Sequence, residues 1–269
     1  MNHDEVSSSL CIAFALNGGD PLDLRLSNSE HVHWLEVGLT AARQSGNRKV
    51  EGILLGEMGL YRILTGDKQG GISCELRSLR ILREVGSHRL EATMLGRLGQ
   101  SCAGIGNYEL ALKFLENYLK LSRELGSLQD EGGALGSLGV TYAGMGDSER
   151  AISYSKKYLR IARKLGDVRG QAFALGNLAR SYADLGDDAN AIETYQQQLA
   201  IARELDDPYN KGHSLLNLSM LFGKQHRYDL AVPLAEDAVR SYERIKHGCY
   251  YRAIHHLLEL CQKEGVSTR

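Results

Sequence analysis

The sequence has few of the features that would assign it to a disulfide-stabilised, zinc-binding or membrane-spanning class. Its five cysteines are odd in number and include no Cys-x-x-Cys pair, which is typical of buried thiols in a reducing compartment rather than of disulfides or a zinc site. No apolar run approaches the ~20 residues of a membrane span. The N-terminus also lacks the basic start of a secretory signal. We therefore expect a cytoplasmic protein that does not bind membranes.

Charge and motif content show equally few signs of nucleic-acid binding or catalysis. The 32 basic and 33 acidic residues give a net charge of −1, so the basic footprint of a nucleic-acid binder is missing. Neither a G-x-x-x-x-G-K-[ST] phosphate loop nor an H-E-x-x-H zinc motif occurs. His31 and His33 are two residues apart, and His255 and His256 are adjacent, so neither pair shares one face of a helix. We expect no catalytic residue, no metal, no cofactor and no nucleic-acid partner.

What the chain has in excess is glycine and internal repetition. Thirty of its 269 residues are glycine, about 11% against a usual ~7%. Residues 134–167 align without a gap to residues 174–207 and to residues 94–127, forty positions away in either direction. A fixed period of this size is typical of stacked repeat units. From Glu51 onward the repeat cells are 51–90, 91–130, 131–170, 171–210 and 211–250.

Each cell is predicted to hold two helices joined by a very short turn. The first helix ends at a Gly followed by Asp or Asn, as at Gly146-Asp147. Glycine accepts the left-handed conformation of a helix C-terminus, and the Asp caps the next helix. A turn this short makes the two helices antiparallel neighbours. The recurring alanines expected to be buried against the preceding helix are Ala111, Ala151, Ala191 and Ala231.

The two ends of the chain depart from the period. Residues 1–27 are predicted to be irregular with a short helix at 10–16, and Ser27 with Glu30 forms a capping box that opens the array. Residues 250–263 repeat only the first helix of a cell, so we expect a lone helix that covers the last pair. The predicted domains are the segment 1–27, an array at 28–263 and a tail at 264–269.

The cells resemble tetratricopeptide repeats, whose pattern is W-x2-L-G-x2-Y, then A-x3-F, then P. In the third cell Leu138-Gly139 match the Leu-Gly pair, Tyr142 matches the Tyr and Ala151 the Ala, whereas the Trp position holds Leu in every cell. HEAT and armadillo repeats also have periods near 40, but the small residue after Leu, the Gly-Asp turn and the recurring Ala argue against them. The resemblance implies an all-α fold, a right-handed superhelix (an α-solenoid) of antiparallel helix pairs.

The cells differ from the usual repeat in length and in their last helix. They are six residues longer than the family's 34. Where the usual repeat ends its second helix with Pro, this chain has Arg, a good helix former, so the second helix is predicted to extend for more than a further turn. Those positions are Arg83, Arg123, Arg163 and Arg203. Long repeats of this kind are similar to those of Pins-type adaptors and of the C-terminal arrays of bacterial STAND/NB-ARC NTPases. Residues 22–47 also resemble the segment that leads into the STAND/NB-ARC arrays.

In this family the first helix of each pair lines a concave surface, so the resemblance also implies which residues would contact a partner. They are Thr93, Arg97, Gln100, Ser137, Phe173, Asn177, Arg180, His213, Asn217 and Lys224. Asn can donate to and accept from a peptide backbone, and Arg can hold a carboxylate through two parallel hydrogen bonds. Two interpretations stay open for one row of glycines: close packing between helices, or an open floor beneath a bound segment. The row is Gly56, Gly96, Gly136 and Gly176.

The expected function is a protein- or peptide-binding scaffold that captures a partner segment in the concave groove. We expect an acidic segment or a C-terminal carboxylate as partner, with self-association as a further mode. One alternative is the ligand-sensing arm of a bacterial STAND-type signalling NTPase whose effector domain is absent from this chain. An alternative from another class is an enzyme with an unrecognised site, which a metal, a nucleotide or a clustered His/Asp/Glu pocket would favour. A long groove without such a cluster favours the scaffold.

Overall fold

A computed structural model describes residues 28–264, with side chains described for residues 30–263. Across this range every regular element is an α-helix, and successive helices are separated by two to four residues. The helices are α1 (Asn28–Gln44), α2 (Arg48–Leu64), α3 (Lys68–Glu84), α4 (His88–Gly104), α5 (Tyr108–Glu124), α6 (Leu128–Gly144), α7 (Ser148–Leu165), α8 (Val168–Asp184), α9 (Asp188–Glu204), α10 (Pro208–Lys224), α11 (Tyr228–Arg244) and α12 (Cys249–Glu264). The short helix predicted at 10–16 and Ser27 of the predicted capping box lie outside the described residues.

The forty-residue period is present in the backbone. The first helices of successive pairs are α2, α4, α6, α8 and α10, and each begins forty residues after the one before it. They start three residues before the cell boundaries drawn from the sequence, since α2 begins at Arg48 rather than Glu51. The second helices α3, α5, α7 and α9 include the arginines that replace the family's proline, but each ends one or two residues after its arginine. The predicted extension for more than a further turn is therefore wrong, because the glycine turn that follows stops the helix first.

Short capped turns begin and end these helices. At the start of α7 a carboxylate oxygen of Asp147 accepts a hydrogen bond from the backbone N–H of Arg150 at 3.0 Å, which satisfies one of the amides that a helix N-terminus leaves unpaired. The preceding Gly146 has a φ of +81°, a conformation in which a side chain would be strained. The predicted Gly-Asp turn is therefore confirmed.

The chain is divided into two compact units, Met1–Ser137 and Leu138–Arg269. Each unit has a core to which leucines at the family's Trp position contribute. Leu55 and Leu95 are 1% exposed in the first unit, and Leu215 is fully buried in the second. A Leu at this position removes apolar surface from water without the bulk of an indole.

Small residues bring paired helices of the first unit close together. A Cβ atom added to Gly59 of α2 would lie 2.8 Å from the carbonyl oxygen of Gly71 in α3. One added to Gly99 of α4 would lie 3.4 Å from the carbonyl oxygen of Ala111 in α5, which is itself fully buried. Backbones this close leave no space for larger side chains, so the predicted contact between the second residue of the Leu-Gly pair and the recurring alanine is confirmed here.

The second unit uses the same contact. A Cβ added to Gly139 would lie 3.5 Å from the carbonyl oxygen of Ala151, and in α10 the hydroxyl of Ser219 donates a hydrogen bond to the carbonyl of Ala231 at 2.7 Å. Both alanines are fully buried, as is Ala191 of α9. The helix α12 packs on α11 through one apolar cluster. Its role as a cover for the array stays a prediction.

The row of recurring glycines is packed rather than open. All four of its members are buried. A Cβ added to Gly96 would lie 2.8 Å from the ring of Tyr118, and one added to Gly176 would lie 2.5 Å from the amide of Gln198. Both added atoms would meet a side chain of the following second helix, and one added to Gly56 would meet Met94 of α4 and Ser78 of α3. Close helix packing therefore explains Gly56, Gly96 and Gly176, and the interpretation of an open floor is wrong for them.

Exposed rows on the first helices

Each first helix leaves one narrow face accessible. In α4 residues 92–99 are buried except for Thr93 and Arg97, and Gln100 is exposed. These positions are spaced by four and then three residues, which places them on a single helix face. The same pattern recurs in α8 at Phe173, Asn177 and Arg180. We call these residues, with those at the same positions of α6 and α10, the exposed rows.

In the first unit, the exposed row binds the protein's own carboxylates. A terminal guanidinium nitrogen of Arg97 donates to Glu57 Oε1 at 2.7 Å, and the other donates to the carbonyl oxygen of Gly56 at 2.6 Å. The Arg97 Nε atom lies 3.6 Å from Oε1 of Glu75, a side chain that is 1% exposed. Arg97 would have to give up these contacts before it could hold a partner's carboxylate.

Glu75 explains why Arg97 is needed at this position. Its second carboxylate oxygen has no hydrogen-bond partner among the described residues. Burial raises the pKa of Glu75 above the ordinary value, and Ser101 and Arg97 offset only part of that rise. A buried carboxylate without a nearby cation is costly. We infer that Arg97 holds together the interior of the first unit.

The remaining predicted residues of the first unit are also bonded within it. The side-chain amide of Gln100 donates to the hydroxyl oxygen of Ser137 at 3.0 Å. The hydroxyl of Thr93 donates to the carbonyl of Arg89, one turn earlier in its own helix, at 3.2 Å. The structure thus brings Gln100 and Ser137 together but leaves few free polar groups in this row.

In the second unit, the exposed row on α8 presents unengaged groups. The Phe173 side chain is 51% exposed and meets the ring of Tyr158 edge-on, with centroids 6.3 Å apart. The side chains of Asn177 and Arg180 form no hydrogen bond or ion pair with residues in the described part of the chain. An aromatic ring, an amide and a guanidinium therefore lie on one helix face.

The next first helix, α10, carries three more of the predicted residues, His213, Asn217 and Lys224. His213 meets the ring of Tyr195 edge-on at 6.0 Å. Burial lowers the pKa of His213, and Arg180 and Arg252 lower it further, so the imidazole is neutral at physiological pH. The Asn217 amide donates to the carbonyl of His213 at 2.8 Å, which leaves its own carbonyl oxygen to accept.

Lys224 lies at the end of α10 and is paired. Its ammonium group is 3.1 Å from a carboxylate oxygen of Asp188 in α9. The pair is exposed on the lysine side, so it contributes little to stability. Among the predicted residues of the second unit, Lys224 is therefore the one already bound to an opposite charge.

Two residues of the second unit were missed by sequence reasoning. Met220 lies forty residues after Arg180 and completes the exposed row of α10, so the period alone could have identified it. The second residue is Arg252 of α12, and one of its guanidinium nitrogens is 3.9 Å from the sulfur of Met220. Its position could not have been assigned from the period, because α12 begins forty-one residues after α10.

Two other kinds of site are absent from the described part of the chain. No group of three or more His, Cys, Asp or Glu side chains between residues 30 and 263 is arranged to hold a metal ion. Within residues 28–264 no helix has both the length and the apolar character that a bilayer crossing requires.

Comparison with known proteins gives a clear family match. The family model for the tetratricopeptide repeat matches residues 90–164 and 170–244, more than half of the chain. No curated protein matches the sequence. No enzyme family is indicated by these findings.

Solved structures resemble this chain over nearly its whole length. A STAND protein with a tetratricopeptide repeat sensor, from Pyrococcus horikoshii, is 15% identical with a TM-score of 0.68; the match covers 95% of this chain but 42% of that protein. Aspartyl phosphate phosphatase F from Bacillus subtilis is 14% identical with a TM-score of 0.70, over 99% of this chain and 75% of that one. NprR, solved with its cognate peptide NprX, is 17% identical with a TM-score of 0.66, over 98% and 74%. At these identities the likeness concerns the fold, and the predicted all-α fold of tetratricopeptide helix pairs is confirmed.

Proposed function

We propose that this chain, which belongs to the tetratricopeptide repeat family, is a scaffold that binds a protein or peptide segment through the exposed rows of its first helices. The observation that carries the proposal is the recurring burial pattern of those helices. Each of these helices is buried except along one face. On α8 that face combines a half-exposed Phe173 with Asn177 and Arg180, whose side chains form no hydrogen bond with the described residues. Aromatic and arginine side chains are the residues that most often anchor protein interfaces.

The chemistry of the second unit suits an extended segment. Asn177 and Asn217 occupy the same position one repeat apart, and an amide side chain can satisfy both the donor and the acceptor of a peptide group. An extended chain rises about 3.3 Å per residue, so a short segment is long enough to meet side chains on successive helices. The backbone of the partner would supply the affinity, and the side chains beside it the selectivity.

Arg180 would select the charge of the partner. Its guanidinium is free of ion pairs with the described residues, and charge-assisted hydrogen bonds to a carboxylate are about twice as strong as neutral ones. We propose an acidic side chain or a C-terminal carboxylate as the group it holds. Arg97, the other arginine expected to do so, already binds Glu57 and the carbonyl of Gly56.

The solved relatives support a binding role and leave one alternative. NprR was solved with a cognate peptide, which shows that a protein with this fold can hold one. The STAND protein instead uses its repeats as a sensor. This chain spans 42% of that protein's length, so a ligand-sensing arm of a signalling NTPase is the second candidate. Both roles place the ligand on the repeats, and we propose a cytoplasmic location for either.

Calorimetric titration of a partner segment tests the proposal. Partners would be isolated by pull-down from the source cell and identified by mass spectrometry, and the bound segment would be synthesised. The double change Asn177→Ala with Asn217→Ala should weaken binding by at least ~1 kcal/mol, about the net value of one hydrogen bond. Arg180→Glu should weaken the binding of an acidic segment further.

Asn117→Ala provides the matched control. Asn117 lies on α5, a second helix, and its amide donates to the carbonyl of Lys113 at 2.8 Å, as Asn217 does to His213. Asn117→Ala removes the same kind of intrahelical hydrogen bond, but at a position outside the exposed rows. The affinity for the partner segment should therefore not change. Equal affinities for all variants, with helicity intact, would place the binding surface elsewhere.

A further inference from the structure

The first helix pair lacks the aromatic pair that packs between α6 and α7. In the second unit Tyr142 of α6 stacks on Tyr154 of α7, with centroids 5.3 Å apart and the rings within 10° of parallel. Eighty residues earlier the same two positions hold Arg62 and Cys74. A guanidinium and a thiol replace two rings, so the space that the rings occupy is left open at this pair.

A cavity of about 350 Å³ occupies this place, between α1, α2 and α3. Its wall is mainly polar and carries three guanidinium groups. The residues relevant to binding are Thr40, Arg43, Arg62, Ser73, Cys74 and Arg77. The volume is at the small end of the ~300–1,000 Å³ of small-molecule sites.

The charged side chains that line the cavity are mainly cationic. Its lining includes three arginines and one acidic residue, Glu36. Arg43 is held by Glu51 through a 2.9 Å hydrogen bond. Arg62 has only a 3.8 Å contact with Asp67, and Arg77 forms no ion pair with residues in the described part of the chain. Two guanidinium groups are therefore available to a ligand.

The cysteine does not cancel this charge. Cys74 lies between the two available arginines, which act to lower the pKa of its thiol, but burial has the larger effect and raises that pKa. The thiol stays protonated near neutral pH. With Thr40 already donating to the carbonyl of Glu36, the Ser73 hydroxyl is the remaining hydroxyl donor in the wall.

We propose that this cavity binds a small molecule through a phosphate group. Guanidinium groups form paired hydrogen bonds to phosphate oxygens, and two of them with one hydroxyl match a tetrahedral dianion better than a planar carboxylate. The volume accommodates the phosphate with a small organic substituent. The site belongs to α1, α2 and α3 and does not include the exposed rows, so it is independent of the proposed peptide-binding function.

Isothermal titration of the full chain with inorganic phosphate and with O-phosphoserine, at constant ionic strength set with sodium chloride, tests this proposal. We expect saturable binding of both. Arg62→Tyr restores the residue found at positions 142 and 182 and fills the cavity, so it should abolish binding while the urea midpoint is kept or raised. Arg77→Gln should weaken binding roughly tenfold or more, as expected for the loss of a charge-assisted hydrogen bond.

Arg80→Gln is the matched control, because Arg80 is exposed on the same helix and does not line the cavity. It should bind as the wild type does. The proposal is overturned if phosphate gives no saturable heat, if Arg62→Tyr and Arg77→Gln bind as tightly as the wild type, or if Arg80→Gln loses as much affinity as Arg77→Gln. Equal binding of acetate would overturn the assignment of the ligand as a phosphate.

Discussion

The exposed rows of the two units use the same backbone positions for different purposes. In the first unit Arg97 is bonded to Glu57 and lies beside the buried Glu75. In the second unit Asn177, at the equivalent position eighty residues later, and Arg180 form no hydrogen bond or ion pair with the described residues. The same face of a repeat can therefore stabilise its own unit or remain available to a partner. Which of the two it does depends on the residue type at the equivalent position, such as Arg97 or Asn177.

The second-helix ends show the same difference. In the first unit Arg83 donates to Glu91 at 2.7 Å and Arg123 donates to Glu131 at 2.8 Å. In the second unit Arg163 is retained, but the residue eight positions later is Gln171. Such exposed pairs contribute little to stability. What they show is that, among the described residues, the first unit pairs a larger share of its cations with its own carboxylates than the second unit does.

The largest predicted effect comes from removing the arginine that the first unit uses internally. Arg97→Ala leaves the buried Glu75 without its cation and should lower the free energy of unfolding by about 2–4 kcal/mol, slightly below the range for buried pairs because Arg97 is partly exposed. Arg180→Ala in the second unit should change it by less than ~0.5 kcal/mol. Urea unfolding of both variants makes the comparison, and equal losses would remove the distinction between the rows.

Packing, in contrast, should be equally sensitive in both units. Ala111 and Ala151 are fully buried at the same position, each facing a glycine of the preceding helix. Replacing either by Leu should overpack that contact and cost ~1–3 kcal/mol. Thermal or urea unfolding would measure this. An unchanged midpoint for Ala151→Leu would count against the assigned register, and a large difference between the two variants would show that the units do not share the contact.

Glu75 gives the first unit a pH dependence of its own. Burial raises the pKa of this carboxyl in the folded state above its ordinary 4.5, so the folded protein binds the proton more tightly than the unfolded chain. Its contribution to stability is therefore full below the unfolded pKa and is lost as pH rises through the folded pKa. The stability of Glu75→Gln relative to wild type should rise across that interval, by at most about 1.4 kcal/mol per pH unit. Urea unfolding of Glu75→Gln and of the wild type across a pH series tests this, with Arg97 kept in both. A fall in the stability of Glu75→Gln relative to wild type as pH rises would contradict it.

The smallest effect concerns the turns. Those of the first unit have glycine at every left-handed position, but three turns of the second have Asp206, His226 and Lys246 there, with φ near +50°. His226→Gly should raise the free energy of unfolding by roughly 0.5–1 kcal/mol, because the Cβ strain is larger than the value of the exposed His226–Tyr228 hydrogen bond. Gly186→Ala, at the same position one repeat earlier, should lower it. If His226→Gly instead lowers the free energy of unfolding, the left-handed conformation of residue 226 does not destabilise the protein.

The fold was predictable because the same local signals occur at a constant spacing. A glycine in the left-handed region, a capping Asp and a small residue opposite a buried Ala each have one physical explanation. Their repetition every forty residues fixed the helix pairs to within three residues. The role of the Gly96 row could not be predicted in this way, because it depends on which side chain of the next second helix lies opposite.

The candidate site was only partly predictable for a related reason. The period identifies positions such as 97, 177 and 217, and these do lie on one accessible face. Whether a side chain there is free depends on residues on other helices. Glu57 lies one period before Arg97 and could have been recognised as its neighbour, whereas the buried Glu75 lies on a second helix and gives no periodic signal.

The most direct test of the account compares matched positions of the two rows with one partner segment. Calorimetric titration would measure the affinity of Phe173→Ala and Arg180→Ala in the second unit, and of Thr93→Ala and Gln100→Ala at the same positions of the first. We predict a loss of roughly tenfold or more for each change in the second unit, as for anchor residues of an interface, and little change for those in the first. Equal losses in both units, or a loss confined to the first, would contradict the claim that the second unit holds the binding row.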